Sequence, residues 1–138
     1  MASWLVLSLI ALVLFGLFSF FAKLSLKYLD WKTALLLQWS GIMTILIATW
    51  FLFKPNISFN IGSFYAFLAG LIGSISGIVF YQALAQGKAS IVIPLTSLST
   101  VVTLILIFIF LREKITLVQS IGITLAITSI ALISISVK

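Results

Sequence analysis

LILIFIFL, residues 104–111, places eight apolar side chains in succession inside a run from 91 to 111 that no charge interrupts. A transmembrane β-strand alternates apolar and polar residues, so a stretch that is apolar on every face argues for a helix. A hydrocarbon core about 30 Å thick takes roughly 20 helical residues, and this run is long enough to cross it. Charges and chain breakers separate four further apolar runs, so helices are expected over residues 4–27, 33–53, 61–86, 91–111 and 115–137. The composition agrees: 63% of the 138 residues are apolar and 7% are charged, with a mean hydropathy of +1.37. A soluble domain carries about a quarter charged residues, which excludes a water-soluble fold. The expected architecture is an all-α integral membrane protein, five transmembrane helices in an up-and-down bundle, forming one domain over residues 1–138.

The first run has no basic segment before it and no small-x-small cleavage site before Lys23. It is therefore expected to stay in the fold and not to be removed as a signal peptide. Connections at residues 29–32, 54–60, 87–90 and 112–114 are short, so successive helices are expected to be antiparallel neighbours. Trp31 and Trp50 lie 19 residues apart, about 28 Å of helix, at the two depths where indole rings collect. Lys54, Arg112 and Lys114 fall on one side of the membrane, and Lys23, Lys27, Lys32, Lys88 and Lys138 on the other. Five against three puts the C-terminus in the cytoplasm, by a margin thin enough that either orientation, or both, remains open.

The chain contains no Cys and no His, and its only carboxylate side chains are Asp30 and Glu113. Disulfides, thiol or imidazole catalysis and a conventional metal site are out of reach, so neither an enzyme nor a cofactor is expected. The net charge of +6 is spread over loops and helix ends, where it reads as a topology determinant; the expected partner is the lipid bilayer and not nucleic acid. Neither carboxylate falls inside a span. Glu113 is expected to be neutralised by Arg112 and Lys114, and Lys23 and Lys27 to reach out to the membrane surface.

Helices associate in lipid through close backbone approach and interhelical hydrogen bonds, so small residues mark contacts. Ala69, Gly73 and Gly77 recur every fourth residue in the third span, and Gly122 and Ala126 repeat the spacing in the fifth. Polar residues at depth need a partner or a water-filled cavity. Gln38 and Trp39 lie near mid-span: Trp39 reads either as lipid-facing bulk or as the aromatic wall of a cavity in which Gln38 supplies hydrogen bonds. Thr96, Ser97 and Thr100 belong to the most polar stretch of any span, just after Pro94, which is tolerated early in a helix. Their hydroxyls either bond back to the preceding turn or face a solute. Tyr81 and Gln82, near the end of the third span, read as an interfacial anchor or as ligands at a cavity mouth.

Residues 81–134 also resemble the second part of an EamA-like repeat of the drug/metabolite transporter superfamily. The Gly87-Lys88-Ala89-Ser90 turn, the Pro94-Leu95 pair, the Leu111-x-Glu113 step and the Gln119-x-x-Gly122 step stand in the order and spacing of that repeat. Phe15-Gly16 followed by Lys23 looks like its first helix, so the resemblance covers essentially the whole chain. Many relatives have Pro at the position of Thr100 and Arg near Gln38, so helix shape and substrate chemistry are not carried over there. The resemblance implies half of a transporter, because most members fuse two such repeats with inverted topology and carry small polar metabolites.

The expected function is a secondary transporter of small organic solutes in a prokaryotic cytoplasmic membrane, alternating access to a cavity between two five-helix chains. The partner chain is either a second copy in the opposite orientation or a separate five-helix protein. Substrate contacts are expected from Gln38, Trp39, Tyr81, Gln82, Thr96, Ser97 and Thr100. A non-transporting accessory or assembly subunit is the alternative, and an intramembrane enzyme the weaker one.

Overall fold

The computed structural model describes residues 3–55, 60–112 and 116–135; among them every regular segment is a helix and no strand occurs. By contacts the chain divides into two compact units, Met1–Gln86 and Gly87–Lys138. The first holds α1 (Ser3–Ser25), α2 (Trp31–Phe53) and α3 (Ile61–Gln86). The second holds α4 (Ala89–Ser97), α5 (Ser99–Leu106), a π-helical turn (Ile107–Leu111) and α6 (Leu117–Ile135). Four stretches are long and apolar enough to cross a membrane, namely Trp4–Ser25, Trp31–Phe53, Ile61–Gln86 and Ala89–Leu111, and α6 adds a shorter apolar stretch, Leu117–Ser129.

Local chemistry fixes where the helices start and stop. α2 begins at Trp31 because the Asp30 carboxylate accepts hydrogen bonds from the backbone N–H groups of Lys32 (3.2 Å) and Thr33 (3.4 Å), satisfying donors that the first helical turn leaves free. It ends where Lys54 turns left-handed (φ 41°) and its N–H bonds to the Trp50 carbonyl, with Pro55 following. α3 opens on a reciprocal pair: the Ser63 N–H reaches Asn60 Oδ1 at 3.1 Å while the Asn60 N–H reaches Ser63 Oγ at 3.2 Å. Thr116 and Gln119 do the same at the start of α6. The Thr116 N–H donates to Gln119 Oε1 (2.8 Å) and the Gln119 N–H to Thr116 Oγ1 (3.3 Å), the side-chain exchange of a capping box. Glu113, expected to be neutralised by Arg112 and Lys114, lies outside the described residues, as does Lys114.

Within the first unit the three helices run up, down and up. Phe18 and Phe80 stack with ring centroids 6.4 Å apart, and a little further along both helices Lys23 Nζ donates to the Leu84 carbonyl at 2.7 Å, so α1 and α3 are parallel. α2 runs back against α3, its Leu35 lying 3.9 Å from the point where a Cβ on Gly77 would sit. Among the described residues the buried apolar ones, Ala22, Ala34, Leu35, Tyr81 and Leu84, belong to the end of the unit where α1 and α3 finish and α2 starts. Small residues there let the backbones approach. Elsewhere the large apolar side chains point outward, as helices do when the solvent is hydrocarbon.

The second unit holds the fourth span expected from the sequence as one apolar helical stretch, Ala89–Leu111, with a one-residue turn at Leu98 between α4 and α5. α4 starts at Ala89, which makes Pro94 its sixth residue and puts it beyond the first turn. Proline has no N–H for the carbonyl of Ser90 and its ring crowds that carbonyl. One turn later the helix tightens at Leu98, which keeps right-handed helical dihedrals (φ −62°, ψ −14°) while its N–H bonds to the Leu95 carbonyl at 3.2 Å. Thr96 Oγ1 competes in the same turn, donating to the carbonyls of Val92 (3.0 Å) and Ile93 (2.9 Å), and Ser97 Oγ also donates to Ile93 (3.0 Å); such back-bonding bends helices. The π-helical turn follows α5, and the segment stops where Arg112 becomes left-handed (φ 54°). α4 packs against α6.

Candidate functional site

The seven expected substrate-binding residues divide between the two units: Gln38, Trp39, Tyr81 and Gln82 in the first, Thr96, Ser97 and Thr100 in the second. In the first unit a groove of about 980 Å³ runs along α2 beside α1. Its α2 wall consists of every third and fourth residue from Gln38 to Trp50, the spacing of one helical face, and Phe15 and Phe18 of α1 line it too. Thirteen residues of helix span about 18 Å between those ends. Among the described residues no charged side chain lines it.

Gln38 sits in this groove half-buried, and its Oε1 is buried with no hydrogen-bond partner. An amide in that state carries a cost of about 1–3 kcal/mol that a donor would remove. Gly41, one turn along, leaves open space, since a Cβ there would meet no atom within 4 Å. Thr49 also lines the groove, but its hydroxyl proton is committed to the Ile45 carbonyl at 2.7 Å, which leaves it only lone pairs to offer.

The other expected residues of this unit sit in different surroundings. Trp39, half-buried, is turned about 100° from Gln38 around the helix and is not among the residues lining the groove. Tyr81 is buried at the closed end, its ring edge-on to Phe80 at 6.2 Å, and Gln82 is exposed. In the second unit Thr96, Ser97 and Thr100 are all exposed. Thr96 and Ser97 spend their protons on backbone carbonyls and so present acceptors. Among the small residues, Gly77 meets Leu35, whereas Gly73 and Gly122 have open space around a built Cβ and Ala69 and Ala126 are exposed.

Two features escape a reading of the sequence. The groove residues Phe15, Phe18, Gly41 and Thr49 look like ordinary span residues; the only cue is that Gln38, Gly41 and Thr49 share one helical face. Lys23, expected to reach out to the surface, turns instead to the Leu84 carbonyl. The last carbonyls of α3 lack intrahelical donors and carry the negative end of the helix dipole, so an ammonium is favoured there. Outside the spans, Asp30 is held below its ordinary range, chiefly by its side-chain hydrogen bond with Thr33 and further by the backbone N–H groups of Thr33 and Lys32.

Comparison with known proteins gives the chain its relatives. The EamA-like transporter family model matches residues 2–135, across both units. An uncharacterized protein of Methanocaldococcus jannaschii is 37% identical over 137 residues, 96% of each chain. No solved structure matches it significantly.

Proposed function

The chain belongs to the EamA-like transporter family, and on that premise we propose that it is a secondary transporter of small organic solutes. The observation that carries this reading is the family match across residues 2–135. Family membership and the apolar helices make it a multi-pass membrane protein with a transport role. In our reading it resides in a prokaryotic cytoplasmic membrane and works by alternating access, with its helices completed into an up-and-down bundle of five spans. Binding and conformational change do the work, and no covalent step is involved.

Transporters built of inverted repeats hold the solute near the midplane between two halves. We assign the second half to another five-helix chain, a copy in the opposite orientation or a separate protein, and the thin charge bias of five against three suits the former. Gln38, Trp39, Tyr81, Gln82, Thr96, Ser97 and Thr100 supply the solute path in this scheme. Ala69, Gly73, Gly77, Gly122 and Ala126 supply close helix contacts. The open space around Gly73 and Gly122 supports contacts made outside the units described.

The test is flux. Purified chain in proteoliposomes is loaded with a pooled metabolite mixture, and counterflow is followed by mass spectrometry. Accumulation of at least one solute above protein-free vesicles is expected. A folded, correctly inserted chain that moves nothing would leave the accessory-subunit reading. A single Cys replacing Asn60, labelled from each side in turn, reads the orientation: labelling from both sides is expected for the antiparallel pair, and labelling from one side only excludes it.

A further inference from the structure

The first unit is joined at one end and loose at the other. Its buried residues among those described, Ala22, Ala34, Leu35, Tyr81 and Leu84, gather where α1 finishes. The contacts that tie α1 to α3 there are the Phe18–Phe80 stack and the bond from Lys23 Nζ to the Leu84 carbonyl. We infer that Lys23 is the pivot about which α1 swings against α3 during transport, a conformational device that rests on the transporter reading above.

The joined end has the chemistry of a fixed point. At 2.7 Å the ammonium makes a charge-assisted hydrogen bond, about twice as strong as one between neutral groups. It does so at the last turn of α3, where carbonyls lack intrahelical donors and the helix dipole is negative. The Leu84 side chain is fully buried at the same place, so packing and bond hold one spot. Toward its start α1 turns its large side chains outward: Leu5, Leu9, Leu12 and Phe15 are exposed. The hydroxyls of Ser8, Thr44, Thr49 and Ser74 donate to carbonyls of their own helices, so their protons join no two helices. A Cβ built on Gly16, Gly70 or Gly73 meets no atom within 4 Å, whereas Gly77, toward the joined end, meets Leu35. Lipid tails resist a swing of the loose end little, since they are as apolar as the side chains they touch. Leu7 lies 16 residues before Lys23, about 24 Å of helix, so a tilt of about 10° at the pivot carries it through about 4 Å. Phe21, half a turn from Lys23, moves through about 0.5 Å.

Spin-label distances test the pivot, because the chain has no Cys and paired labels can be placed at will. A pair at Leu7 and Phe67 reads the loose end and a pair at Phe21 and Ala85 the joined end; all four side chains are exposed. Labelled full chain, diluted with unlabelled chain so that one pair is read, is placed in phosphatidylcholine–phosphatidylglycerol nanodiscs. The Leu7–Phe67 distance distribution is expected to be about 4 Å broader than the Phe21–Ala85 one. Lys23→Met should broaden the Phe21–Ala85 distribution, and Lys23→Arg, which keeps a cationic donor, should leave it narrow. Counterflow of the solute pool should fall about tenfold in Lys23→Met and recover in Lys23→Arg. Circular dichroism checks that the variants keep their helix content, and the comparison of the two widths in the parent chain stands without any variant. Equal widths in the parent overturn the pivot, as does an unchanged Phe21–Ala85 distribution or undiminished counterflow in Lys23→Met. Lys23→Arg behaving like Lys23→Met overturns it too, since the lysine stem and not its charge would then hold α1. If the widths follow expectation and no solute moves, the pivot stands and the transport reading falls. If solutes move and the widths are equal, the transport reading stands and the pivot falls.

Discussion

α2 and the α4–α5 segment are both 23-residue apolar stretches, Trp31–Phe53 and Ala89–Leu111, yet one is regular throughout and the other is interrupted by a one-residue turn at Leu98 and ends in a π-helical turn. Hydropathy does not separate them in the direction one would guess, since the interrupted stretch is the more apolar, at 2.4 against 1.7. Their C-terminal ends are also alike, each closing on a left-handed basic residue, Lys54 or Arg112. The difference lies in backbone donors. α2 keeps every interior N–H and starts on the Asp30 carboxylate, whereas α4 lacks the N–H of Pro94 and starts at Lys88 with no side-chain cap. Hydrophobicity places a segment in the membrane; its hydrogen-bond ledger decides whether it crosses as one rod.

The largest effect comes from moving the interruption. Met43→Pro, at an exposed position in mid-α2, removes the donor to the carbonyl of Trp39 and should cost about 3 kcal/mol or more, because lipid offers the freed carbonyl no substitute. Equilibrium unfolding in mixed micelles measures it. A loss below about 1 kcal/mol would mean that α2 tolerates what α4–α5 tolerates, and that the missing donor is not what separates them.

The reverse change is smaller. Pro94→Ala restores the donor to the Ser90 carbonyl and should stabilise the second unit by about 1 kcal/mol, with a gain in helicity by circular dichroism. The back-bonded hydroxyls of Thr96 and Ser97 remain in that variant, so part of the bend should persist. Complete straightening would assign the interruption to Pro94 alone, and no change at all would assign it to the hydroxyls.

These assignments show what the sequence disclosed and what it withheld. The unbroken apolar run at 104–111 and the absence of alternation were enough to declare helices, and the charges marked their limits to within two residues at 31 and 89. Trp31, Lys32, Ala89 and Ser90 read as connection from the sequence, but the Asp30 cap draws the first two into α2, and the Lys88 carbonyl, accepting from the N–H groups of Ile91 and Val92, brings the other two into α4 with no side-chain cap. Pro94 reads as an early helix residue only if α4 begins at 91; with the start at Ala89 it falls beyond the first turn. Gln38 stood out as a polar residue at depth, but the groove did not, because a groove is set by which face of α2 is left uncovered by α1. Lys23 was read by its length and charge alone, and only the arrival of α3 beside α1 supplies the carbonyl that it binds.

Smaller again is the cap that α4 lacks. Lys88→Ser places a hydroxyl at its N-cap, where it accepts from the Ser90 N–H, and should add about 1 kcal/mol at most. Slower amide exchange at Ser90 is the readout, and unaltered exchange would show that the start of α4 is already satisfied by other means.

The smallest effect is confined to the first turn of α2 and is a matter of pH. The hydrogen bonds from Thr33 and Lys32 lower the Asp30 pKa, so the folded state holds the proton less tightly than the unfolded chain. The cap's contribution is therefore fully present above the unfolded carboxylate range, about pH 4, and is lost as pH falls through the lower folded value. Amide exchange at Lys32 and Thr33 should accelerate only below that range, relative to Asp30→Asn, which caps as well but does not titrate. The same pair of measurements at Ser90 and Ile91 should show no such step, because Lys88 carries no carboxylate to lose. If the α2 step came well above pH 4, or appeared equally in Asp30→Asn, the Asp30 carboxylate would not be what starts the regular helix.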